Sequence, residues 1–352
     1  MKIRQCLNQI APYIPGKLKA GAIKLASNEN PLGPSPRAME VLRDCISRVY
    51  LYPDNACVEL REALAAKHGL KPENIVAGNG SDEIMSLAAA AYINPGDNTV
   101  TAKETFSNYT FVTLLYDGTM RCAPLSNGVF DLPALSALVD ERTRLVFLCN
   151  PNNPTGTYFG QDALEGFLKK VPAGTRVVSD EAYADFADAR DFPDSVSLLA
   201  KYPNLLVMRT FSKLYGLAGL RVGYGIAREE VAADLMKAKI SFSVNLPALA
   251  AARAALDDDE FVRQSLALNA EGRAYLYKEF DRLGLCYYPS QANFVCVDVR
   301  RDSKEMERRI MELGVTIRPL ESFGIPHSLR VTVGTPRQNK TFIACLEKAL
   351  SE

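Results

Sequence analysis

A lysine, an arginine and two hydroxyl side chains lie close together in the middle of the chain. The segment TFSKLYGLAGLR, residues 210–221, follows a short apolar run at 205–208 that is typical of a buried strand. A lysine at the end of such a strand can be partly desolvated, which lowers its pKa and provides a neutral amine. Ser212 and Arg221 would hold an anion beside Lys213. This set of residues favours covalent capture of a phosphate-bearing aldehyde, although a lone lysine in a glycine-rich loop is usually a surface residue.

Pyridoxal phosphate is such an aldehyde, and its phosphate group prefers the backbone N–H groups of a helix N-terminus. The segment GNGSDE offers these groups at Gly80, Ser81 and Asp82, where an alanine-rich helix is predicted to begin. Thr210, together with the serine and arginine named above, would bind the other side of the phosphate. An ordinary capped helix is the alternative for this segment taken alone.

The ring of pyridoxal phosphate makes three further demands on the protein. Its nitrogen must stay protonated, which a neighbouring carboxylate favours. Asp180, which follows a predicted strand at 177–179, is the candidate for this carboxylate. Asn153 and Tyr183 are candidates to donate hydrogen bonds to the phenolic oxygen. Phe106, predicted at a strand-to-helix turn, could stack on the ring. A helix cap for Asp180 and core packing for Phe106 remain alternatives.

An amino-acid substrate also presents an anion, which an arginine can bind with two parallel hydrogen bonds. Arg330, in the segment LRVTVGT, is the first candidate for this role, and Arg318, in TIRPL, is a weaker one. Without a substrate role, an arginine in a strand is usually a solvated surface residue.

The elements that would position these residues alternate between strand and helix from about residue 74 to 208. This alternation predicts an α/β fold, a large domain with a mostly parallel sheet covered by helices on both faces. Each polar motif follows a predicted strand, ending at 77, 149, 179 or 208, where such sheets bind ligands. Residues 251–352 are predicted to form a smaller α+β domain, residues 31–250 the large domain, and residues 1–30 an arm that packs on the small domain or on a partner subunit.

The overall composition excludes several other classes of protein. The 352-residue chain has 41 basic and 41 acidic residues without blocks of like charge, which argues against a broad nucleic-acid or polybasic membrane surface. It has no apolar run near the ~20 residues that a membrane-spanning helix needs. Its eight cysteines form no CxxC pair, so we interpret them as reduced core thiols of a cytoplasmic protein.

Six segments of the sequence together resemble the fold-type-I pyridoxal-phosphate-dependent aminotransferases, and within them most closely the histidinol-phosphate aminotransferase group. The segments, in chain order, are SNENPLGPSP, GNGSDE, NPNNPTG, SDEAYADF, RTFSKLYGLAGLRVGY and LRVTVGT. The resemblance implies that Lys213 binds the cofactor covalently and that Asp180 faces the ring nitrogen. It also implies that Asn153 and Tyr183 bind the phenolic oxygen and that Phe106 stacks on the ring. The phosphate would be bound by Ser81, Asp82, Ser212 and Arg221, and the substrate anion by Arg330.

The resemblance further implies transamination of histidinol phosphate with 2-oxoglutarate, in which Lys213 transfers the proton. Arg330 would bind the substrate phosphate and then the glutamate carboxylate, helped by Arg318 and by Tyr13 from the partner's arm. Asn28 is a further predicted substrate-binding residue. A homodimer is implied, in which Tyr52 reaches the cofactor of the other subunit.

Three alternatives to this function remain open at this point. The first is an aminotransferase of aromatic amino acids, and the second is a threonine-phosphate decarboxylase on the same scaffold. The third is a non-catalytic, pyridoxal-phosphate-binding regulatory protein.

Overall fold

The computed structural model describes residues 3–10, 12 and 19–351. In this part of the chain the strands are β1 (Ile23–Lys24), β2 (Ile75–Gly78), β3 (Asn98–Ala102), β4 (Thr119–Ala123), β5 (Thr143–Cys149), β6 (Arg176–Asp180), β7 (Leu205–Thr210), β8 (Gly223–Ala227), β9 (Cys286–Tyr288), β10 (Phe294–Asp298), β11 (Val315–Thr316), β12 (Arg318–Pro319) and β13 (Ser328–Thr332). The α-helices are α1 (Pro36–Cys45), α2 (Val58–His68), α3 (Ser81–Tyr92), α4 (Asn108–Leu115), α5 (Leu132–Leu138), α6 (Gln161–Leu168), α7 (Glu229–Ala238), α8 (Leu246–Ala255), α9 (Asp259–Arg282), α10 (Ser303–Glu312) and α11 (Pro336–Ser351). Among the described residues, no helix combines the length and the apolar character needed to cross a bilayer.

A seven-stranded sheet, in the order β2-β8-β7-β6-β5-β3-β4, forms the centre of the molecule. The five strands from β7 to β4 run parallel, and β8 is antiparallel to both of its neighbours. The predicted mostly parallel sheet is therefore confirmed. β8 was not predicted, because its segment GYGIA contains two glycines and so lacks the usual composition of a strand.

The parallel strands are buried on both faces, which explains their continuous apolar sequences. Val146, Phe147 and Leu148 on β5 are fully buried, and Val177 and Val178 on β6 are buried beside them. Because Cys149 pairs with Asp180, the carboxyl ends of β5 and β6 lie side by side. β7 continues this edge, since Asp180 is in register with Met208. The segments that follow these three strands therefore meet at one edge of the sheet.

A second, antiparallel sheet in the order β12-β13-β10-β9 forms the smaller α+β region. β11 pairs in parallel with β1, so the N-terminal segment contributes to this region. Its apolar cluster joins Leu25 to Leu276, Phe280 and Phe342. The predicted α+β character of the C-terminal region is confirmed, and β9 is an additional strand at the edge of its sheet.

The predicted boundary near residue 250 lies within α8, a helix whose buried alanines belong to the apolar cluster of the central sheet. On α9, the buried residues of the second cluster are Leu276 and Phe280. The division into residues 1–30, 31–250 and 251–352 stays a prediction, and the packing favours a boundary within α9.

The eight cysteines are all free thiols, and six of them are buried. Cys122 and Cys286 are exposed, so the interpretation of the cysteines as core thiols is wrong at these two positions. The reason is that β4 and β9, which carry them, are edge strands of their sheets.

Candidate active site

A cavity of about 1660 Å³ opens beside the carboxyl edge of the central sheet, between this edge and the small region. Most of the predicted site residues line it, and these are Asn28, Ser81, Asp82, Phe106, Asn153, Asp180, Tyr183, Thr210, Ser212, Lys213, Arg221, Arg318 and Arg330. The structure thus brings together residues that are up to 302 positions apart in the sequence, from Asn28 to Arg330.

Two predicted residues in the part of the chain that the structure describes do not line the cavity. Gly80 lies directly behind it, because a Cβ atom at this position would be 2.5 Å from Nη2 of Arg221. Tyr52 is 81% exposed and stacks on Phe242 with 4.8 Å between the ring centroids. Tyr13 lies outside the described residues.

Lys213 follows β7 and points its amine into the cavity. Its Nζ donates a hydrogen bond of 3.2 Å to the backbone oxygen of Ser27 and lies 5.5 Å from the centre of the Tyr183 ring. Burial, and next the positive charge of Arg330, lower the pKa of Lys213 to about 8. A substantial fraction of the amine is therefore neutral slightly above neutral pH, which is what a nucleophile or a general base requires.

Asp180 is the last residue of β6 and is only 5% exposed. Its Oδ1 accepts a hydrogen bond of 3.1 Å from the backbone N–H of Ala182, and its Oδ2 accepts one of 2.6 Å from the hydroxyl of Tyr109. Burial raises the pKa of Asp180 to about 6, and the hydrogen bond from Tyr109 opposes this rise. The carboxyl group is therefore mostly ionised above neutral pH.

Tyr109 was not predicted as a site residue. The residue lies three positions after Phe106, near the start of α4, but a tyrosine in an apolar helix is more often part of the core. α4 begins at Asn108, so Phe106 lies in the connection between β3 and α4, at the predicted strand-to-helix turn. Its ring meets the ring of Tyr109 edge-on, at 5.7 Å between centroids.

Tyr183 and Asn153 each contact a residue that was predicted to bind substrate. The hydroxyl oxygen of Tyr183 accepts a hydrogen bond of 2.9 Å from Nδ2 of Asn28. Nη1 of Arg330 donates to Oδ1 of Asn153 at 2.5 Å, and Nη2 donates to the oxygen of Ala26 at 2.8 Å. Burial raises the pKa of Tyr183 to about 12, so its hydroxyl stays protonated and able to donate.

Arg330 and Arg318 are directly paired residues on the neighbouring strands β13 and β12. The Arg330 side chain is buried, with its guanidinium 5.4 Å from the centre of the Phe294 ring. Arg318 lies 5.8 Å from the centre of the Phe323 ring. Two guanidinium groups at one wall give this part of the cavity a positive charge that suits an anionic substrate.

The opposite end of the cavity combines a helix N-terminus with a guanidinium and hydroxyl groups. α3 begins at Ser81, and Arg221 donates to Oδ2 of Asp82 at 3.0 Å and to Oγ of Ser212 at 3.4 Å. Oγ1 of Thr210 accepts a hydrogen bond of 3.1 Å from the backbone N–H of Ser212. These groups are the donors that a phosphate prefers.

Comparisons with known proteins agree with this geometry. The model of the family "Aminotransferase class I and II" matches residues 20–346. The histidinol-phosphate aminotransferase of Moorella thermoacetica is 50% identical over 360 residues, covering 99% of this chain and 93% of the relative. That of Symbiobacterium thermophilum is 46% identical, covering 99% of each chain. The crystal structure of histidinol-phosphate aminotransferase from Sinorhizobium meliloti in complex with pyridoxal-5'-phosphate aligns with a TM-score of 0.87 at 28% identity, covering 94% of this chain and 91% of the other.

Proposed function

The chain belongs to the class I and II aminotransferases, and from this premise we propose that it transfers the amino group of histidinol phosphate to 2-oxoglutarate. The products would be imidazole acetol phosphate and glutamate, in a step of histidine biosynthesis. The observation that carries the choice of substrate is the set of relatives named histidinol-phosphate aminotransferase, which are 42–50% identical to this chain along nearly all of it.

The residues of the cavity fit pyridoxal phosphate as the cofactor. Lys213 would bind its aldehyde, and Asp180 would face its ring nitrogen. The groups at the start of α3, with Ser212 and Arg221, match the phosphate. When bound, pyridoxal phosphate supplies a ring that accepts electrons and stabilises negative charge on the substrate carbon next to nitrogen.

Three further cavity residues have geometries that suit the ring. Phe106 lies in the cavity wall and offers an aromatic face for stacking. Asn153 and Tyr183 provide hydrogen-bond donors for the phenolic oxygen. Asn153 uses its amide oxygen to accept the hydrogen bond from Arg330, and its amide nitrogen can donate to the cofactor. These assignments rest on the donor set and on the position of each residue in the cavity wall.

Lys213 is the residue best placed to move a proton. With its pKa lowered to about 8, its amine can take a proton from a substrate carbon near neutral pH and return it to another atom nearby. The hydrogen bond to the Ser27 oxygen would keep the amine inside the cavity.

Arg330 would bind the anionic group of each substrate in turn, which is the phosphate of histidinol phosphate and then a carboxylate of glutamate. Its contacts to Asn153 and Ala26 hold the guanidinium in place before a substrate arrives. Arg318 would add charge for the phosphate. Asn28 and the partner's arm, with Tyr13, would complete the substrate site.

Gly80→Ala tests the phosphate end of the site. Gly80 has φ +79°, and a Cβ would displace the Arg221 guanidinium. We expect the dissociation constant for pyridoxal phosphate, measured by absorbance titration of the cofactor-free protein, to rise about tenfold or more, since the displaced guanidinium loses a hydrogen bond to a charged phosphate that contributes about 1.5–3 kcal/mol. Gly166→Ala on α6, where a Cβ meets nothing within 4 Å, is the matched control. An unchanged dissociation constant for Gly80→Ala would contradict the assignment.

A substrate panel on the purified protein tests the proposed reaction. We expect the highest kcat/KM for histidinol phosphate with 2-oxoglutarate, a lower value for phenylpyruvate with glutamate, and no carbon dioxide from threonine phosphate. A preference for phenylpyruvate would identify an aromatic aminotransferase, and carbon dioxide release a decarboxylase. A yellow protein without turnover of any substrate would indicate a binding protein.

We also infer that the protein is a homodimer. Exposed apolar side chains cluster around Tyr52 in the sequence, and they are Ile46, Val49, Tyr50, Leu51 and Val58. Phe242 extends this surface by its stack on Tyr52. A second copy of the chain covering the surface would bring Tyr52 to the phosphate end of its partner's cavity. The eight free thiols support a cytoplasmic location for the enzyme.

A further inference from the structure

Tyr109 is the most completely buried tyrosine of the site region, with an exposed fraction of 0%. It lies in the first turn of α4, and its ring stacks on Phe147 of β5 with centroids 4.9 Å apart and planes 7° from parallel. The ring of Phe106 also meets the Tyr109 ring edge-on, with planes 85° apart. Because these contacts fix the ring, the direction of its hydroxyl group is also fixed.

The hydroxyl of Tyr109 points at Asp180. The 2.6 Å bond to Oδ2 is short, as expected for a neutral donor and a charged acceptor. In the described chain, the backbone N–H of Ala182 is the other donor to this carboxylate, and it binds Oδ1. The two donors together fix the plane of the carboxyl group.

The other titratable groups that face Asp180 do not stabilise its charge. They are the Cys149 thiol on β5, the Asp82 carboxyl group on α3, the adjacent Glu181 and the Tyr183 phenol. Cys149 is buried, which raises its pKa to about 12 and keeps it neutral. The two carboxyl groups are of like charge and oppose ionisation. Tyr109 is therefore the side chain that favours the ionised form of Asp180.

We propose that Tyr109 is a positioning residue that keeps Asp180 ionised and oriented, so that the shared proton resides on the ring nitrogen of pyridoxal phosphate. This inference rests on the proposed function, because it requires the cofactor to bind with its nitrogen at Asp180. Without the phenol, burial favours the neutral carboxyl group, and the proton moves from the ring nitrogen to the aspartate. The ring then becomes a weaker electron acceptor.

Tyr109→Phe separates this role from simple packing, since it keeps the ring and removes only the hydroxyl. The probe is pyridoxal phosphate labelled with ¹⁵N at the ring nitrogen and bound to the protein, with the chemical shift followed from pH 6 to pH 10. We expect the nitrogen of the wild-type protein to be protonated at pH 8. In the variant, we expect the midpoint of deprotonation to fall by about one to two pH units, since hydrogen bonds to charged groups are of this strength.

Tyr224→Phe on β8 is the matched control, because it removes another buried hydroxyl, one that contacts His68 instead of Asp180. We expect its nitrogen shift to match the wild type. A parallel kinetic measurement should find kcat of Tyr109→Phe reduced about tenfold or more with a nearly unchanged KM, since a shift of one pH unit corresponds to a tenfold effect.

The outcomes distinguish the inference from the proposed function. If Tyr109→Phe binds the cofactor and its nitrogen titrates as in the wild type, the inference is wrong and the proposed function stands. If Tyr109→Phe lowers the melting temperature of the protein but leaves the ¹⁵N chemical shift of the cofactor unchanged, the inference is also wrong, and the role of Tyr109 is packing. If the wild-type protein does not bind pyridoxal phosphate at all, both are wrong.

Discussion

Lys213→Ala is expected to lower kcat for transamination by about 10⁴-fold or more. The amine would both hold the cofactor and move the proton, and a positioned general base alone contributes about 10²–10⁴-fold. The site around it would stay intact, because the hydrogen bond of Lys213 goes to a backbone oxygen, that of Ser27. The measurement is single-turnover kinetics with histidinol phosphate, together with borohydride reduction of the loaded protein and mass spectrometry of the labelled peptide. We expect the label on Lys213 in the wild type and none in the variant.

Two further variants test whether the loss of kcat in Lys213→Ala comes from the missing base. Lys213→Arg keeps a positive charge but cannot act as a base, because a guanidinium stays protonated, so it should be as inactive as Lys213→Ala. Lys71→Ala removes an exposed lysine that pairs with Glu229 and should leave kcat unchanged. A kcat of Lys213→Ala above about one tenth of the wild-type value would show that Lys213 is not the general base, since a general base contributes at least 10²-fold.

The central sheet could be predicted from the sequence because its strands are buried on both faces. β5 and β6 consist largely of apolar residues, so their ends are visible where the polar segments begin, and the residues that follow them, Asn153 and Tyr183, line the cavity. The N-terminus of α1 was predictable for a similar local reason. Ser35 caps it by accepting a hydrogen bond from the N–H of Ala38, and Pro36 occupies the first position.

The parts that were not predicted depend on contacts between distant segments. β8 carries Gly223 and Gly225, which pack against α3 and its first residues, so its composition reflects close backbone approach instead of strand propensity. The bond from Tyr109 to Asp180 joins residues 71 positions apart. The bond from Arg330 to Asn153 joins the substrate side of the cavity to the cofactor side across 177 positions. Periodicity within one element contains no information about such pairs.

Asp180→Asn is expected to lower kcat by about 10²–10³-fold, since a carboxylate next to a cation shifts its pKa by about one to three units. Asparagine has nearly the same shape and can still accept the hydrogen bond from Tyr109, but it has no charge to hold a proton on the ring nitrogen. The measurement is kcat with histidinol phosphate and 2-oxoglutarate at pH 8. Asp258→Asn is the control, because Asp258 is also a buried carboxyl group but binds Ser35 and the N–H of Phe261, away from the cavity. A kcat of Asp180→Asn within threefold of wild type would contradict the assignment.

The same Asp180→Asn substitution should make the cofactor-free protein more stable. Burial raises the pKa of Asp180 from 3.8 to about 6, so ionisation of this group costs folding free energy, and stability is lost as the pH rises through this range. Above pH 6 the cost is about 3 kcal/mol, and the lost bond to the Ala182 N–H offsets about 1 kcal/mol of the gain. We therefore expect urea unfolding at pH 8 to find the variant about 1–2 kcal/mol more stable than wild type. Near pH 4 the gain should vanish, because the wild-type carboxyl group is then neutral. A variant that is less stable at pH 8 would mean that Asp180 is a structural residue, whereas a gain in stability with a loss of kcat is what a charge kept for function produces.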